Sequence, residues 1–132
     1  MRISGRSIAR GHGKGEILVS HEPISFLSGV DPDTGTIIEK GNPLEGRSIT
    51  GTVFVFPEGK GSTVGSYILY ALGKNGHGPA AIINRDTEPI VAVGAIIGGI
   101  PLVDRPDVPF SAFKNGVIAE VNGDTGEIIL FL

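Results

Sequence analysis

The segment Val53–Leu72 reads V-F-V-F-P-E-G-K-G-S-T-V-G-S-Y-I-L-Y-A-L and predicts a strand, a glycine-rich loop and a helix in direct succession. The strand is the β-branched and aromatic run Thr52–Phe56, which Pro57 ends. The helix begins near Ser62 and continues to about Gly73, because apolar residues recur at helical spacing at Val64, Ile68, Leu69 and Leu72. A helix N-terminus offers free backbone N–H groups and the positive end of the helix dipole, so the loop is a candidate anion site.

The composition limits the classes of protein to which the chain can belong. Its 132 residues suffice for a single domain, residues 1–132, with a core of its own. The net charge is −3 and the basic residues are not clustered, which argues against a nucleic-acid partner. The N-terminus has no signal pattern and no apolar run approaches ~20 residues, so we expect a cytoplasmic chain that does not enter a membrane.

The chain contains no cysteine. This excludes disulfides, and it excludes any thiolate-ligated zinc ion or iron–sulfur cluster held by this chain alone. His12, His21 and His77 are scattered along the sequence without the spacing of metal ligands. We therefore predict no metal on this chain.

The first third of the chain predicts short strands. They are Arg2–Arg10 with a bulge at Gly5, Glu16–Ser20, the short apolar piece Ile24–Leu27, Thr36–Ile38, and a long or bent strand over Arg47–Phe56 that is broken at Gly51. The turn D-P-D-T-G at 31–35 has a near-copy, G-D-T-G at 123–126, and both continue as x-I-I. The shared D-T-G, preceded by proline in the first copy only, predicts a similar tight turn twice.

The remainder predicts alternating strands and helices. A strand at Ala80–Ile83 is predicted to be covered on both faces. A second helix starts at Asp86–Pro89, continues through the apolar and mostly buried run Ile90–Ile97 and ends at Gly98-Gly99. A strand at Ile100–Val103 and a hairpin of Val117–Val121 with Glu127–Leu132 follow. The predicted fold class is α/β in three layers around a central β-α-β-α-β piece with right-handed crossovers. The anion loop then lies at the carboxyl end of the strand Thr52–Phe56, where open α/β sheets bind ligands.

The glycine loop does not match the two common nucleotide-binding loops. A P-loop needs a lysine directly before its serine or threonine, but Gly61 separates Lys60 from Ser62. Phe54 also occupies the position of the first P-loop glycine. The dinucleotide fingerprint fails because Val64 stands where a small residue is required.

The loop nevertheless gathers groups that stabilise an anion. The candidate anion-binding residues are Lys60, Gly61, Thr63 and Ser66, around Ser62. The anion is either a phosphate or carboxylate of a substrate, or the alkoxide of Ser62 itself, since a serine acts as a base only where its alkoxide is strongly stabilised. A simpler alternative is that Ser62 only caps the helix and the glycines only make the turn.

Other polar residues are weaker candidates. Arg10, with His12 and Lys14, lies in a glycine-rich strip and is within reach of a phosphate or partner, although a solvated turn is the simpler interpretation. Arg47 and Arg85 each lie next to a strand end and are candidates for binding an acidic group.

The segment P-E-G-K-G-S-T-V-G-S-Y (57–67) resembles the signature of the swivel-domain subunit of the aconitase X family. The resemblance extends to D-P-x-T-G-x-I-I with N-P-L-x-G (31–46), to A-A-I-I-N (80–84) and to V-A-x-G-A-I-I-x-G-I-P-L-V-D (91–104), in the same order. It implies a three-layer β/β/α swivelling domain.

The resemblance also implies an activity. It suggests the small subunit of a two-chain hydro-lyase of the archaeal mevalonate pathway, which dehydrates (R)-5-phosphomevalonate to trans-anhydromevalonate 5-phosphate and is active only with its large subunit. Ser62 would be the proton acceptor. The large subunit would carry an iron–sulfur cluster that binds the leaving hydroxyl, and this chain would carry no cofactor.

Two alternatives remain open at this point. A related dehydratase of the same family could act on another 3-hydroxy acid, such as a hydroxyproline. A non-catalytic phosphate-binding or phosphocarrier module, with His12 or His21 accepting the phosphate, belongs to a different class.

Overall fold

A computed structural model describes residues 1–61 and 63–132. The described part of the chain forms eight strands, three α-helices and one short 3₁₀ helix. The strands are β1 (Arg2–Ser4), β2 (Arg6–Ala9), β3 (His12–Val19), β4 (Val53–Phe56), β5 (Ala81–Asn84), β6 (Leu102–Asp104), β7 (Ile118–Asn122) and β8 (Glu127–Phe131). The helices are α1 (Phe26–Gly29), α2 (Gly65–Lys74) and α3 (Pro89–Gly98), and the 3₁₀ helix is Phe110–Ala112.

The strands follow the order β1-β8-β7-β3-β4-β5-β6-β2. The central strands β3, β4, β5 and β6 are parallel, which confirms the predicted β-α-β-α-β piece. The strands β7 and β8 form the predicted closing hairpin. Because β1 and β2 are separated by Gly5 alone yet lie at opposite ends of the strand order, the sheet curves until its two edges meet at the N-terminal segment.

Two apolar clusters separate three layers. Along β4 the side chains alternate, so that Val53 and Val55 belong to the cluster between the two halves of the sheet, while Phe54 and Phe56 belong to the cluster under the helices. All four side chains are fully buried. The strand is therefore covered on both faces, as a parallel strand between two layers must be, and the β/β/α architecture is confirmed.

The prediction of a strand at Ile24–Leu27 is wrong. Ile24 makes only an isolated bridge to Gly59, and Phe26 begins the short helix α1. The ring of Phe26 packs edge-on against those of Phe54 and Phe56, with centroids 6.5 and 5.7 Å away. In this helical turn the ring belongs to the core, where it is 3% exposed.

Two further predicted strands are shorter than expected. Thr36 and Ile37 form isolated bridges only, and within the predicted segment Arg47–Phe56 the regular strand starts at Val53. Gly51 has φ +70°, a left-handed conformation that ends an extended strand before it.

The helix α3 is less buried than predicted. Its start is as expected, since the Glu88 carboxylate accepts hydrogen bonds from the Ile90 and Val91 amides and Gly99 closes the helix at φ +70°. Its outer face is exposed, however: the side chains of Val93, Ile96 and Ile97 face solvent. An apolar run without periodicity does not reveal which face is covered.

Candidate active site

The glycine loop follows β4 and is fixed to the segment that precedes α1. The Ile24 amide donates to the Glu58 carbonyl oxygen at 3.2 Å, and the Lys60 amide donates to the Ile24 carbonyl oxygen at 2.9 Å. The sequence suggested that the amides of this loop are free, and for Lys60 this is wrong. The two hydrogen bonds hold the loop in place at the carboxyl edge of the parallel strands.

The two glycines of the loop meet different structural demands. A Cβ on Gly59 would lie 2.5 Å from Val91 Cγ2 and 2.7 Å from Glu88 Oε1, so the space above Gly59 is occupied by the start of α3. Gly61 has φ +101°, which disfavours a side chain, and it faces the buried hydroxyl of Ser25. The space beside Gly59 is therefore not available to a ligand.

The helix α2 begins later than the apolar spacing predicts. It starts at Gly65 rather than near Ser62, with Val64 as the N-cap. Thr63 is exposed, and its carbonyl oxygen accepts hydrogen bonds from both the amide and the hydroxyl of Ser66. The Ser66 hydroxyl is thus engaged within its own turn. Ser62, the predicted catalytic residue, lies outside the described residues.

Lys60 has an acidic partner that the sequence analysis did not identify. Its Nζ lies 3.5 Å from Glu39 Oε1, and the lysine side chain is half exposed. Glu39 is 21 residues upstream in the sequence, so no local pattern pairs the two. The loop therefore carries a cation whose position depends on a residue from another segment.

The structure brings only one of the three predicted arginines to the loop. The Arg85 amide donates to the Pro57 carbonyl oxygen, and the Arg85 guanidinium donates to Glu58 at 3.0 Å. Arg10 follows β2, which runs antiparallel to β6. It therefore lies at the amino ends of the parallel strands, opposite the glycine loop. Arg47 is exposed, and its side chain has no ion pair or hydrogen bond within the described part of the chain.

The sequence analysis missed a second polar cluster at the carboxyl ends of the parallel strands, around Asp104. Asp104, the last residue of β6, is fully buried and accepts hydrogen bonds from Arg6 Nε (2.9 Å), Arg6 Nη2 (2.8 Å) and the Thr87 amide (2.8 Å). Burial by itself would raise the pKa of the Asp104 carboxyl, but these hydrogen bonds outweigh burial and hold the pKa below its usual value. The same contact raises the pKa of Arg6. The available signal was an acidic residue directly after the predicted strand Ile100–Val103.

The histidines do not converge on the loop. His12 Nε2 lies 3.3 Å from Asp124 Oδ2 at the amino end of β3, opposite the end of the strands that carries the glycine loop. The pKa of Asp124 is lowered, first by the hydrogen bond from the Gly11 amide and also by His12. His21 lies at the carboxyl end of β3 beside a small cavity that Asn42 and Leu44 also line. Within residues 1–61 and 63–132, no group of three or more His, Asp or Glu side chains has an arrangement suited to a metal ion.

Comparison with known proteins places this geometry in a family. A family model described as the aconitase X swivel domain matches residues 2–130. The chain belongs to the aconitase X swivel-domain family. The aconitase X swivel domain thus accounts for nearly the whole chain, and the family resemblance of the 57–67 segment is confirmed.

Individual proteins match over most of their length. The chain is 56% identical to the phosphomevalonate dehydratase small subunit of Methanosarcina acetivorans, over 98% of this chain and 91% of that protein. It is 53% identical to the protein of the same name from Pyrococcus horikoshii, over 97% of this chain and 94% of that protein. The crystal structure of Thermococcus kodakaraensis aconitase X in its holo-form matches with a TM-score of 0.95 at 48% identity, covering 100% of this chain and 99% of that chain.

Among the helices of the described residues, none has the length and apolarity needed to cross a membrane.

Proposed function

We propose that this chain is the small subunit of a phosphomevalonate dehydratase, which removes water from (R)-5-phosphomevalonate to give trans-anhydromevalonate 5-phosphate. The observation that carries the proposal is the 56% identity to a small subunit of that name over nearly the full length of both chains. At this identity and coverage the two proteins share fold and segment order, and the glycine loop is part of the aligned region.

We assign the proton-accepting role to Ser62. Its neighbours Gly61 and Thr63 lie between the carboxyl end of β4 and the N-terminus of α2, so the positive end of a helix dipole is close to these two neighbours. Lys60 adds a positive charge two residues away. Both effects favour an alkoxide over a hydroxyl, and a serine needs that help to accept a proton from carbon near neutral pH.

The chain's own residues do not fit an iron–sulfur cluster. Such clusters are held by cysteine thiolates, and the sequence contains none. We therefore place the cluster on a large subunit, with which this chain would form at least a heterodimer. A two-chain site also supplies the exclusion of water that a basic serine requires.

Among the predicted arginines, Arg85 is the best candidate for an acidic group of the substrate. It is the one fixed to the glycine loop, through its amide to Pro57 and its guanidinium to Glu58. Arg10 lies at the opposite end of the parallel strands. The side chain of Arg47 has no ion pair or hydrogen bond to the described residues that would orient it. We expect Arg85→Ala to raise KM for the phosphorylated substrate with a smaller effect on kcat.

The main test is Ser62→Ala in the complex reconstituted with the matched large subunit. We expect kcat to fall by about 10²- to 10⁴-fold, while assembly in gel filtration and the unfolding midpoint stay unchanged. Ser4→Ala is the matched control, because Ser4 is exposed on β1, where it pairs with β8 and not with the loop. Full activity of Ser62→Ala would contradict the assignment of the base.

Two assays separate the alternatives. Parallel measurements with (R)-5-phosphomevalonate and a hydroxyproline distinguish this dehydratase from a relative with another substrate. Titration of the isolated chain with inorganic phosphate, followed by NMR, tests the phosphate-binding module. A phosphocarrier would require His12 or His21 to accept phosphate, and His12 is instead paired with Asp124 away from the loop.

A further inference from the structure

The carboxylate of Glu39 is only partly satisfied. Its Oε1 atom lies 3.5 Å from Lys60 Nζ. Its Oε2 atom is buried and has no hydrogen-bond partner in the described part of the chain. The side chain as a whole is 28% exposed. Buried oxygens without partners are uncommon in proteins, and a partly buried charge is unfavourable unless it is paired.

The backbone that carries Glu39 is well anchored. Ile37 is buried, and the Ile38 amide donates to the Gly29 carbonyl oxygen at 2.9 Å. Gly29 also leaves room for the carboxylate, since a Cβ there would lie 3.1 Å from Glu39 Oε2. The carboxylate is thus held from a fixed segment, whereas the ammonium of Lys60 sits at the end of a flexible side chain.

The other acidic groups around the loop are already engaged. The Glu58 carboxylate binds Arg85, and the Glu88 carboxylate caps α3 by accepting from backbone amides. Of the acidic side chains that the described residues place around the loop, Glu39 is therefore the one paired with Lys60. A half-exposed ion pair contributes little to stability, so stability alone does not account for a carboxylate with one unpartnered oxygen.

We propose that Glu39 is a positioning residue that fixes the Lys60 ammonium at the glycine loop, two residues from Ser62 in the sequence. This inference rests on the proposed function, because Lys60 matters in this way only if Ser62 is the base. Without Glu39 the lysine side chain adopts other rotamers and its charge is no longer held at the loop. The interaction of a charge with the reacting group weakens as their distance grows, so an ammonium that moves away with its flexible side chain stabilises an alkoxide less.

The test is Glu39→Gln in the reconstituted complex with (R)-5-phosphomevalonate. Glutamine keeps the shape and removes the charge. We expect kcat to fall by about 10- to 100-fold with KM changed by less than about twofold, since the ammonium acts on the serine and not on bound substrate. Glu45→Gln is the matched control, because Glu45 is exposed and, among the described residues, its carboxylate accepts a hydrogen bond only from the Gly41 amide at 3.3 Å. The control should have wild-type kcat.

A double-mutant cycle with Lys60→Ala decides whether Glu39 acts through the lysine. If it does, Glu39→Gln lowers kcat in the wild-type background and has no further effect once Lys60 is alanine. Gly29→Ala tests the same point while keeping both charges, because its Cβ only crowds Glu39 Oε2. It should lower kcat when Lys60 is present and have no further effect in the Lys60→Ala variant.

Three results would overturn the proposal: wild-type kcat for Glu39→Gln, additive effects of Glu39→Gln and Lys60→Ala, or a rise in KM with unchanged kcat. None of them affects the assignment of Ser62, which Ser62→Ala tests separately. Conversely, an active Ser62→Ala complex would remove the basis for assigning Ser62 as the base and for assigning Glu39 as its positioning residue.

Discussion

Replacement of the buried Asp104 by asparagine should destabilise the chain by about 2–3 kcal/mol at pH 7. Asp104 is 0% exposed and accepts two hydrogen bonds from Arg6 and one from the Thr87 amide. Hydrogen bonds to a charged group contribute about 1.5–3 kcal/mol, and breaking a fully buried ion pair costs about 3–5 kcal/mol. The lower range applies because the Arg6 side chain is 45% exposed and regains water when its partner is lost.

The pH dependence of this loss follows from the lowered pKa of Asp104. The ionised carboxylate stabilises the folded state fully above its ordinary pKa of 3.8, and this contribution is lost as the pH falls through the lower pKa of the folded state. The difference between the wild type and Asp104→Asn should therefore be constant from pH 7 to about pH 4 and shrink below it.

Urea unfolding at several pH values measures the effect directly. Asp107→Asn is the control, since Asp107 is exposed and accepts one hydrogen bond from the Ser4 amide at 2.9 Å, so its replacement should cost less than about 1 kcal/mol. Equal urea midpoints for wild type and Asp104→Asn at pH 7 would refute the reasoning. So would a difference that stays the same well below pH 3.8.

Two further predictions concern the loop and the helix layer. Gly59→Ala should lower the free energy of unfolding by about 2–4 kcal/mol in urea titration, because the new Cβ would displace Val91 and the Glu88 cap. Gly65→Ala, whose Cβ would meet its nearest neighbour at 3.5 Å, should instead be neutral or slightly stabilising, and an equal loss in both variants would contradict the packing argument. Ile96→Ser should change the melting temperature of the isolated chain very little, because Ile96 is 57% exposed there. A large drop in melting temperature would mean that the outer face of α3 is covered in the isolated chain.

Local signals in the sequence predicted the centre of the fold. The buried strand before Pro57, the Glu88-Pro89 helix start and the Gly99 end each depend on residues within a few positions, and the structure confirms them. The start of α2 was predicted three residues too early, because apolar spacing locates a helix better than it locates its first turn.

Contacts between distant segments were beyond the reach of such signals. Nothing near Glu39 indicates that its carboxylate meets Lys60, and nothing near Arg10 indicates that the antiparallel pairing of β2 removes it from the loop. The exposed face of α3 was missed because an entirely apolar run has no polar side to orient it. The role of Ser62 stays a prediction.

The pairing of the first strand with the last has a consequence for synthesis on the ribosome. Ile3 lies opposite Ile128, and β2 on the other side of Gly5 pairs with β6, so the first ten residues hold both edges of the sheet. While the C-terminal strand is still inside the ribosomal exit tunnel, β1 has no partner and the inter-sheet cluster is open. β1 therefore stays unpaired until β8 has left the tunnel, and such long-range closure slows folding.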